Sequence, residues 1–291
     1  MRSLIVNADD FGFTAAINRG ITEAFEAGVV RSVSMMTGQP GWRDAVHRAS
    51  AAGPELDIGL HFNLSVGAPV TRAPSLTDRR TGAFLPVKAL VARALAGRVR
   101  PEEAEAECRA QAEQLHDAGV AISHFDGHLH LHLLPGIWTG VVATARALGR
   151  LPVRVPHERG WPRRGASPAG SLKQALLGAA SAGALRKTPP PVAPLSFAGA
   201  TLQGDDRYLS RLHAVIRTLP AGTSELMTHP GYVDGPLPGG DTYDVPREAE
   251  LRALTSSQLR DWLDAAEVTL TSFRALTAQQ HAHARSSAYA R

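Results

Sequence analysis

What most constrains this chain is the order of its periodicities: short apolar runs alternate with amphipathic helical ones along nearly its whole length. Leu4 to Ala8 reads as a buried strand that ends in Asp9-Asp10-Phe11-Gly12. Ile17, Ile21, Ala24 and Phe25 then recur at helical spacing, and Gly28 stands where a helix would be capped. Val29 to Met36 is a second strand, Trp42 to Ala52 a helix, and Asp57 to Leu64 a third strand. Residues 67–84, rich in Pro, Thr and Gly, form a loop before helices at Pro86–Ala96 and Pro101–Asp117. Pro101-Glu102-Glu103 suits a first turn, where Pro loses no hydrogen bond and acids meet the positive dipole end.

A His-rich strand over 124–132 follows, then a helix from Ile137 to Leu148 and a short strand at Val153–Val155. Residues 157–194 are rich in Arg, Gly and Pro around a helix at Leu172–Leu185, and read as an insertion or lid. A helix at Asp205–Leu219 and a strand at Ser224–His229 come next. After a loop over 234–246 come a helix at Ser257–Glu267 and a last strand at Val268–Phe273. Such alternation predicts a parallel sheet covered by helices. Six or seven such units fit a TIM-barrel-like (β/α) barrel, closed or incompletely closed, better than an open doubly wound sheet. The expected organisation is one domain over residues 1–276 and a flexible tail over 277–291.

Composition narrows the function classes. With 44% hydrophobic and 20% charged residues the chain affords a sizeable core. A net charge of +4 without a Lys/Arg run, and only 5% aromatics, argue against nucleic acid as a partner. Cys108 is the one cysteine, so no intrachain disulfide forms, which fits a reducing compartment. No apolar run is long enough to span a bilayer and no signal-peptide core follows Met1, so a cytoplasmic monomer or homodimer is expected. No GxGxxG or P-loop supports a nucleotide fold.

Chemistry gathers at the ends of the expected strands. In His124-Phe125-Asp126-Gly127-His128-Leu129-His130-Leu131-His132 the even positions are all His or Asp. On a strand these would share one face, and imidazole and carboxylate are the ligands of divalent metals. His61 and Asn63 lie on the polar face of the third strand, Asp9-Asp10 ends the first, and His229-Pro230-Gly231 ends another. The edge of a parallel sheet where strands end is where sites assemble. Asp9 and Asp10, adjacent on a strand, would point opposite ways, which suits a division of labour between metal binding and proton transfer. A helix-capping Asp and a hydrogen-bonded core His are the plainer readings of Asp9-Asp10 and His229 taken singly. Two His and one Asp on an ion would leave positions open for water and substrate, as in a catalytic site.

Asn7-Ala8-Asp9-Asp10-Phe11-Gly12, Gly59-Leu60-His61-Phe62, Asp126-Gly127-His128-x-His130-x-His132 and Thr228-His229-Pro230-Gly231 together resemble the YdjC/ChbG family of carbohydrate deacetylases. The resemblance spans about the first 235 residues and implies a TIM-barrel-like fold and metal-dependent removal of an acetyl group from an N-acetylated sugar. It implies Asp10, His61 and His128 as metal ligands, Asp9 as the base and His229 as the acid. Asp126 would orient a ligand imidazole, and His130, His132 and Asn63 would line or support the sugar site. The family favours magnesium, whereas imidazole ligands suit zinc. The substrate would be a chitooligosaccharide or an N-acetylglucosaminyl glycan or glycolipid. Competing readings are a phosphoesterase, with Arg154 and Arg159 as phosphate clamps, and a non-enzymatic metal-dependent sugar-binding protein.

Overall fold

The computed structural model describes residues 1–158, 168–205 and 207–279. Strands and helices alternate as β1 (Arg2–Phe11), α1 (Ala15–Glu26), β2 (Ser32–Met35), α2 (Trp42–Ala52), β3 (Asp57–Phe62), α3 (Val87–Leu95) and α4 (Pro101–Asp117). Then come β4 (Ile122–Gly127), α5 (Trp138–Ala147), α6 (Pro168–Lys187), β5 (Ser196–Ala198), α7 (Tyr208–Arg217), β6 (Gly222–Thr228), α8 (Val245–Leu254), α9 (Ser257–Ala265) and β7 (Val268–Leu270). Every pairing is parallel, in the order β4-β3-β2-β1-β6-β5, with β7 on the first residues of β1. The sheet curls into a half-barrel with helices outside it. This bears out the α/β, incompletely closed barrel.

Local chemistry sets the elements. Thr14 caps α1 by accepting the Ile17 N–H at 3.2 Å, and Ser256 caps α9 by accepting that of Leu259 at 3.3 Å. α4 opens on Pro101 with Glu102 and Glu103 in its first turn. In β1 the last eight residues are all buried, because helices cover the outer face and polar side chains fill the inner one.

Five features depart from the sequence pattern, the first being β5, since no strand is expected at Ser196–Ala198. The His-rich strand stops at Gly127: His128–Leu133 is a tight 3-10 turn in which Leu129 and His130 take φ of 54° and 56°. The turn folds back under the strand end, and a Cβ at Gly127 would stand 2.9 Å from His132 Nδ1. A helix, α8, for which the sequence pattern gives no sign, starts at Val245, where the expected 234–246 loop ends, and runs to Leu254. Val153–Val155 reduces to a single parallel bridge, Phe125 with Val153. Finally, β7 ends at Leu270, and residues 273–279 are helical rather than strand and tail. The remainder of the expected tail, 280–291, lies outside the described residues.

Candidate active site

Asp9 and Asp10 both face one cavity of about 680 Å³, although strand alternation would part them. The cause is a break in β1. Register with β2 shifts between Ala8 and Phe11, and Asp10 adopts φ 67°, a left-handed conformation that Asp tolerates better than most residues. The irregularity swings Asp10 round beside Asp9.

Asp10 Oδ1 lies 3.2 Å from His61 Nε2 and 3.0 Å from His128 Nδ1. Ligand atoms of the three residues all lie within 4.8 Å of one another, and all three are buried. His61 Nδ1 is 2.7 Å from Asp126 Oδ1, which fixes the ring and leaves Nε2 facing Asp10. Burial works against charge on both Asp10 and His61. Arg247 first, then the His128 and His61 side chains that bond it, still hold the Asp10 carboxyl well below the usual range. Asp126, with Asp10 and Asp9, pushes His61 up to about 10 despite its burial. A proton on His61 thus sits where a divalent cation would satisfy the same carboxylates, and one carboxylate with two imidazoles is a donor set such ions accept. A second cluster, Asp9, His61 and Asp126, is equally tight, but Arg154 engages both of its carboxylates, which leaves the Asp10 set as the better cradle.

Beneath the cluster lies a polar interior. Arg154, fully buried, donates to Asp9 through Nη1 at 2.6 Å and Nη2 at 2.8 Å, and through Nε to Glu225 at 2.6 Å. Its Nη2 is also 2.8 Å from Asp126 Oδ2. Asn7 donates to Asp9 Oδ1 and to Ser34 Oγ, both at 2.8 Å, and Ser34 donates to Asp126. Burial raises the Glu225 carboxyl to about 7, against the pull of Arg154. On the other side Arg247, from the first turn of α8, donates to Asp10 Oδ2 at 2.6 Å.

His229 ends β6. Its N–H donates to Glu250 at 2.7 Å, and its ring packs edge-on against Tyr243 with centroids 5.3 Å apart. The ring Nε2 lies 3.9 Å from Asp9 Oδ2. Burial holds the imidazole down at about 3, so it is neutral at rest although Asp9 and Asp10 pull the other way.

The structure therefore brings Asp9, Asp10, His61, His128, His229 and the half-buried His130 to one cavity. It separates three others. His124 lies deeper, stacked on Phe273 at 3.8 Å and so close under Gly59 that a Cβ there would stand 2.4 Å from its ring. His132 is turned away to the Arg154 carbonyl, 3.0 Å from its Nε2. The four histidines do not share a face, because the strand ends before the last three. Asn63, read as a site residue, instead holds the turn after β3: its Oδ1 accepts the Ser65 and Val66 N–H groups, both at 3.1 Å. Arg154 is no free phosphate clamp, since three carboxylates occupy it; Arg159 lies outside the described residues. Arg247, Glu225 and Tyr243 escaped the sequence reading, as did Lys173 and Gln203, which line the same cavity. For Arg154 a signal existed, an Arg between two buried valines, which marks a paired interior charge. For Arg247 none did.

A model of the family described as YdjC-like protein matches residues 3–265. A carbohydrate deacetylase of Brevibacillus brevis is 32% identical over 94% of this chain and 99% of its own length. A mouse carbohydrate deacetylase is 35% identical over 89% of this chain and 90% of its own. The crystal structure of a cellobiose-phosphate cleavage protein from Enterococcus faecalis superposes with a TM-score of 0.75 at 24% identity, covering 94% of this chain and 98% of that one. Among the described residues no helix is long and apolar enough to cross a membrane.

Proposed function

We propose, on the premise that the chain belongs to the YdjC-like family, that it is a metal-dependent hydrolase releasing acetate from an N-acetylated amino sugar. The observation that carries this reading is the pairing of roles at the end of β1. Asp10 shares its Oδ1 with two imidazoles, while Asp9, its neighbour, faces the same cavity and lies near His229.

Asp10, His61 and His128 would hold one divalent ion, magnesium by family resemblance or zinc by ligand chemistry. Such an ion supplies Lewis acidity, polarising the acetamide carbonyl and making water easier to deprotonate. In our reading Asp9 takes the proton of the attacking water. Arg154 grips both Asp9 oxygens, so the carboxylate cannot rotate away from that task. The water oxygen bonds to the acetyl carbon and the C–N bond breaks as the nitrogen gains a proton from His229. Neutral at rest, His229 receives that proton from Asp9 across the 3.9 Å gap. Acetic acid and a free amine form, the acid passes its remaining proton to solvent and leaves as acetate, and both side chains return to their starting states. Asp126 positions His61, and His130 borders the sugar. The reading keeps residues 1–276 as one catalytic domain, with α6 as the wall built by the 157–194 segment.

The test is acetate release from free, oligomeric and lipid-linked N-acetylglucosamine by chelator-treated enzyme, alone and after reconstitution with magnesium or zinc. Asp9→Asn should lower turnover at least roughly 100-fold with metal content unchanged. Turnover near the native rate in that variant rejects the assignment of the base. Metal-independent release rejects the cofactor.

A further inference from the structure

Two arginine side chains lie fully buried beside the site's carboxylates, and they differ in one respect. All three nitrogens of Arg154 meet carboxylate oxygens. In Arg247, Nε donates to the Tyr243 carbonyl and Nη2 to Asp10 Oδ2, both at 2.6 Å. Its Nη1 is buried and, among the described residues, has no hydrogen-bond partner. An unpaired N–H on a buried guanidinium is costly to keep, and such a group calls for an explanation. Arg247 borders the cavity that holds Asp9, Asp10 and His229. A donor left open at that wall suits an oxygen that the protein itself does not supply.

The charges around the cavity narrow which oxygen that is. Asp9, as base, delivers water to the acetyl carbon, so the carbonyl oxygen comes close to the Asp9-Asp10 pair. Two carboxylates repel the charge that gathers on this oxygen, so it needs a donor. Among the described residues, Lys173 is the other Lys or Arg that borders the cavity. Lys173 bonds Gln203, whose amide nitrogen lies 3.2 and 3.1 Å from the two ring nitrogens of His229. It therefore stands on the side of the acid and the departing nitrogen. Arg247 stands against Asp10, on the side of the carboxylates.

We propose that Arg247 is a catalytic residue whose Nη1 donates to the acetyl carbonyl oxygen and stabilises the negative charge that forms there. This rests on the deacetylase reading and adds a residue to it. As water attacks, the C=O π pair moves onto oxygen and the bond from Nη1 strengthens. The guanidinium gives up no proton, since it stays charged throughout. The pair returns to carbon as the C–N bond breaks. The bonds from Nε and Nη2 hold the guanidinium in place before the charge develops.

The experiment compares native protein with Arg247→Lys on methyl N-acetyl-β-glucosaminide and its N-trifluoroacetyl counterpart. Bound metal is measured in every sample, because Nη2 also serves Asp10, and rates are taken per metal-loaded molecule. Loss of the donor should lower kcat for the acetyl substrate roughly 100-fold with KM little changed. Fluorine draws charge off the carbonyl oxygen, so for the trifluoroacetyl substrate the loss should shrink to about tenfold or less. An equal loss on both substrates, a rise in KM alone, or native rates once metal occupancy is matched overturns the proposal. Each of these leaves the deacetylase reading in place. Independently of any variant, a crystal structure of native protein with the N-methylphosphonyl analogue should place a phosphoryl oxygen about 3 Å from Nη1. That oxygen met by other donors, with Nη1 turned from it, overturns the proposal as well. Native protein that releases no acetate from these or from the oligomeric and lipid-linked compounds rejects the deacetylase reading, and the inference with it.

Discussion

Arg154 is the residue on which the interior should depend most visibly. Its guanidinium lies within 2.6–2.8 Å of three buried carboxylates, Asp9, Asp126 and Glu225. Arg154→Met keeps much of the side-chain volume and removes the charge. Taking one partner from a buried ion pair costs about 3–5 kcal/mol, because the other is left uncompensated. For a chain of this size that amounts to a Tm loss of roughly 5–8 °C. The loss should vary with pH, and its sign is fixed. Without the guanidinium the three carboxyls bind protons more tightly in the folded than in the unfolded state, so stability is retained at low pH and lost as pH rises through their raised folded values. The deficit against native protein should therefore be larger at pH 8 than at pH 5. Adding Glu225→Gln removes one stranded charge and should recover part of the loss. Differential scanning calorimetry of metal-free protein at both pH values checks this, and acetate release reports on Asp9, whose clamp is gone. A deficit under 1 kcal/mol, equal at both pH values and untouched by the second substitution, would refute the view that these acids depend on one cation.

Other consequences are more local. Asp126→Asn should weaken divalent-metal affinity by roughly 10- to 100-fold, since the carboxylate that fixes His61 is replaced by an amide; competition titration against a chelating dye measures it. Gly127→Ala places a Cβ 2.9 Å from His132 Nδ1 and should cost about 1–3 kcal/mol in chemical denaturation, with a fall in activity as the His128 turn shifts. Glu225 carries a folded value near 7 against an ordinary 4.5, so native protein should lose on the order of 3 kcal/mol relative to Glu225→Gln as pH rises from 4.5 through 7. Parallel stability curves for the two proteins would contradict that.

How much of this the sequence discloses varies from residue to residue. The clusters that hold Asp10, His61, His128 and His229 were legible because each lies at or near the end of an expected strand and a parallel sheet gathers those ends on one edge; the choice of these residues within the clusters came from the family resemblance. The side on which each lies was not legible. Strand parity fails at Asp10 and again past Gly127, where left-handed backbone at Asp10, Leu129 and His130 re-aims the chain. Such conformations are set by tertiary contacts, and non-glycine residues give little notice of them. Asn63 misled because a polar residue just past a strand end looks alike whether it faces a ligand or ties its own loop. Arg247 stayed hidden because α8 begins in a Gly/Pro/Asp stretch and reaches the site from far along the chain.

The half-barrel is a hoop with a split in it. Among the described residues no ladder joins the β4 side of the sheet to β5. The Glu158 carboxylate reaches across the split, accepting the Gly199 N–H at 2.8 Å and the Thr201 N–H at 3.3 Å just beyond β5, and α6 adds Gln174 to the Glu158 carbonyl and Lys173 to Gln203. A closed barrel can widen only by breaking a ladder of backbone bonds. Here the aperture can change with a few side-chain contacts, while the carboxylates and imidazoles on the central strands keep their spacing. Substitutions on α6 or at Glu158 can thus alter the girth of what the site admits, with the chemistry left in place.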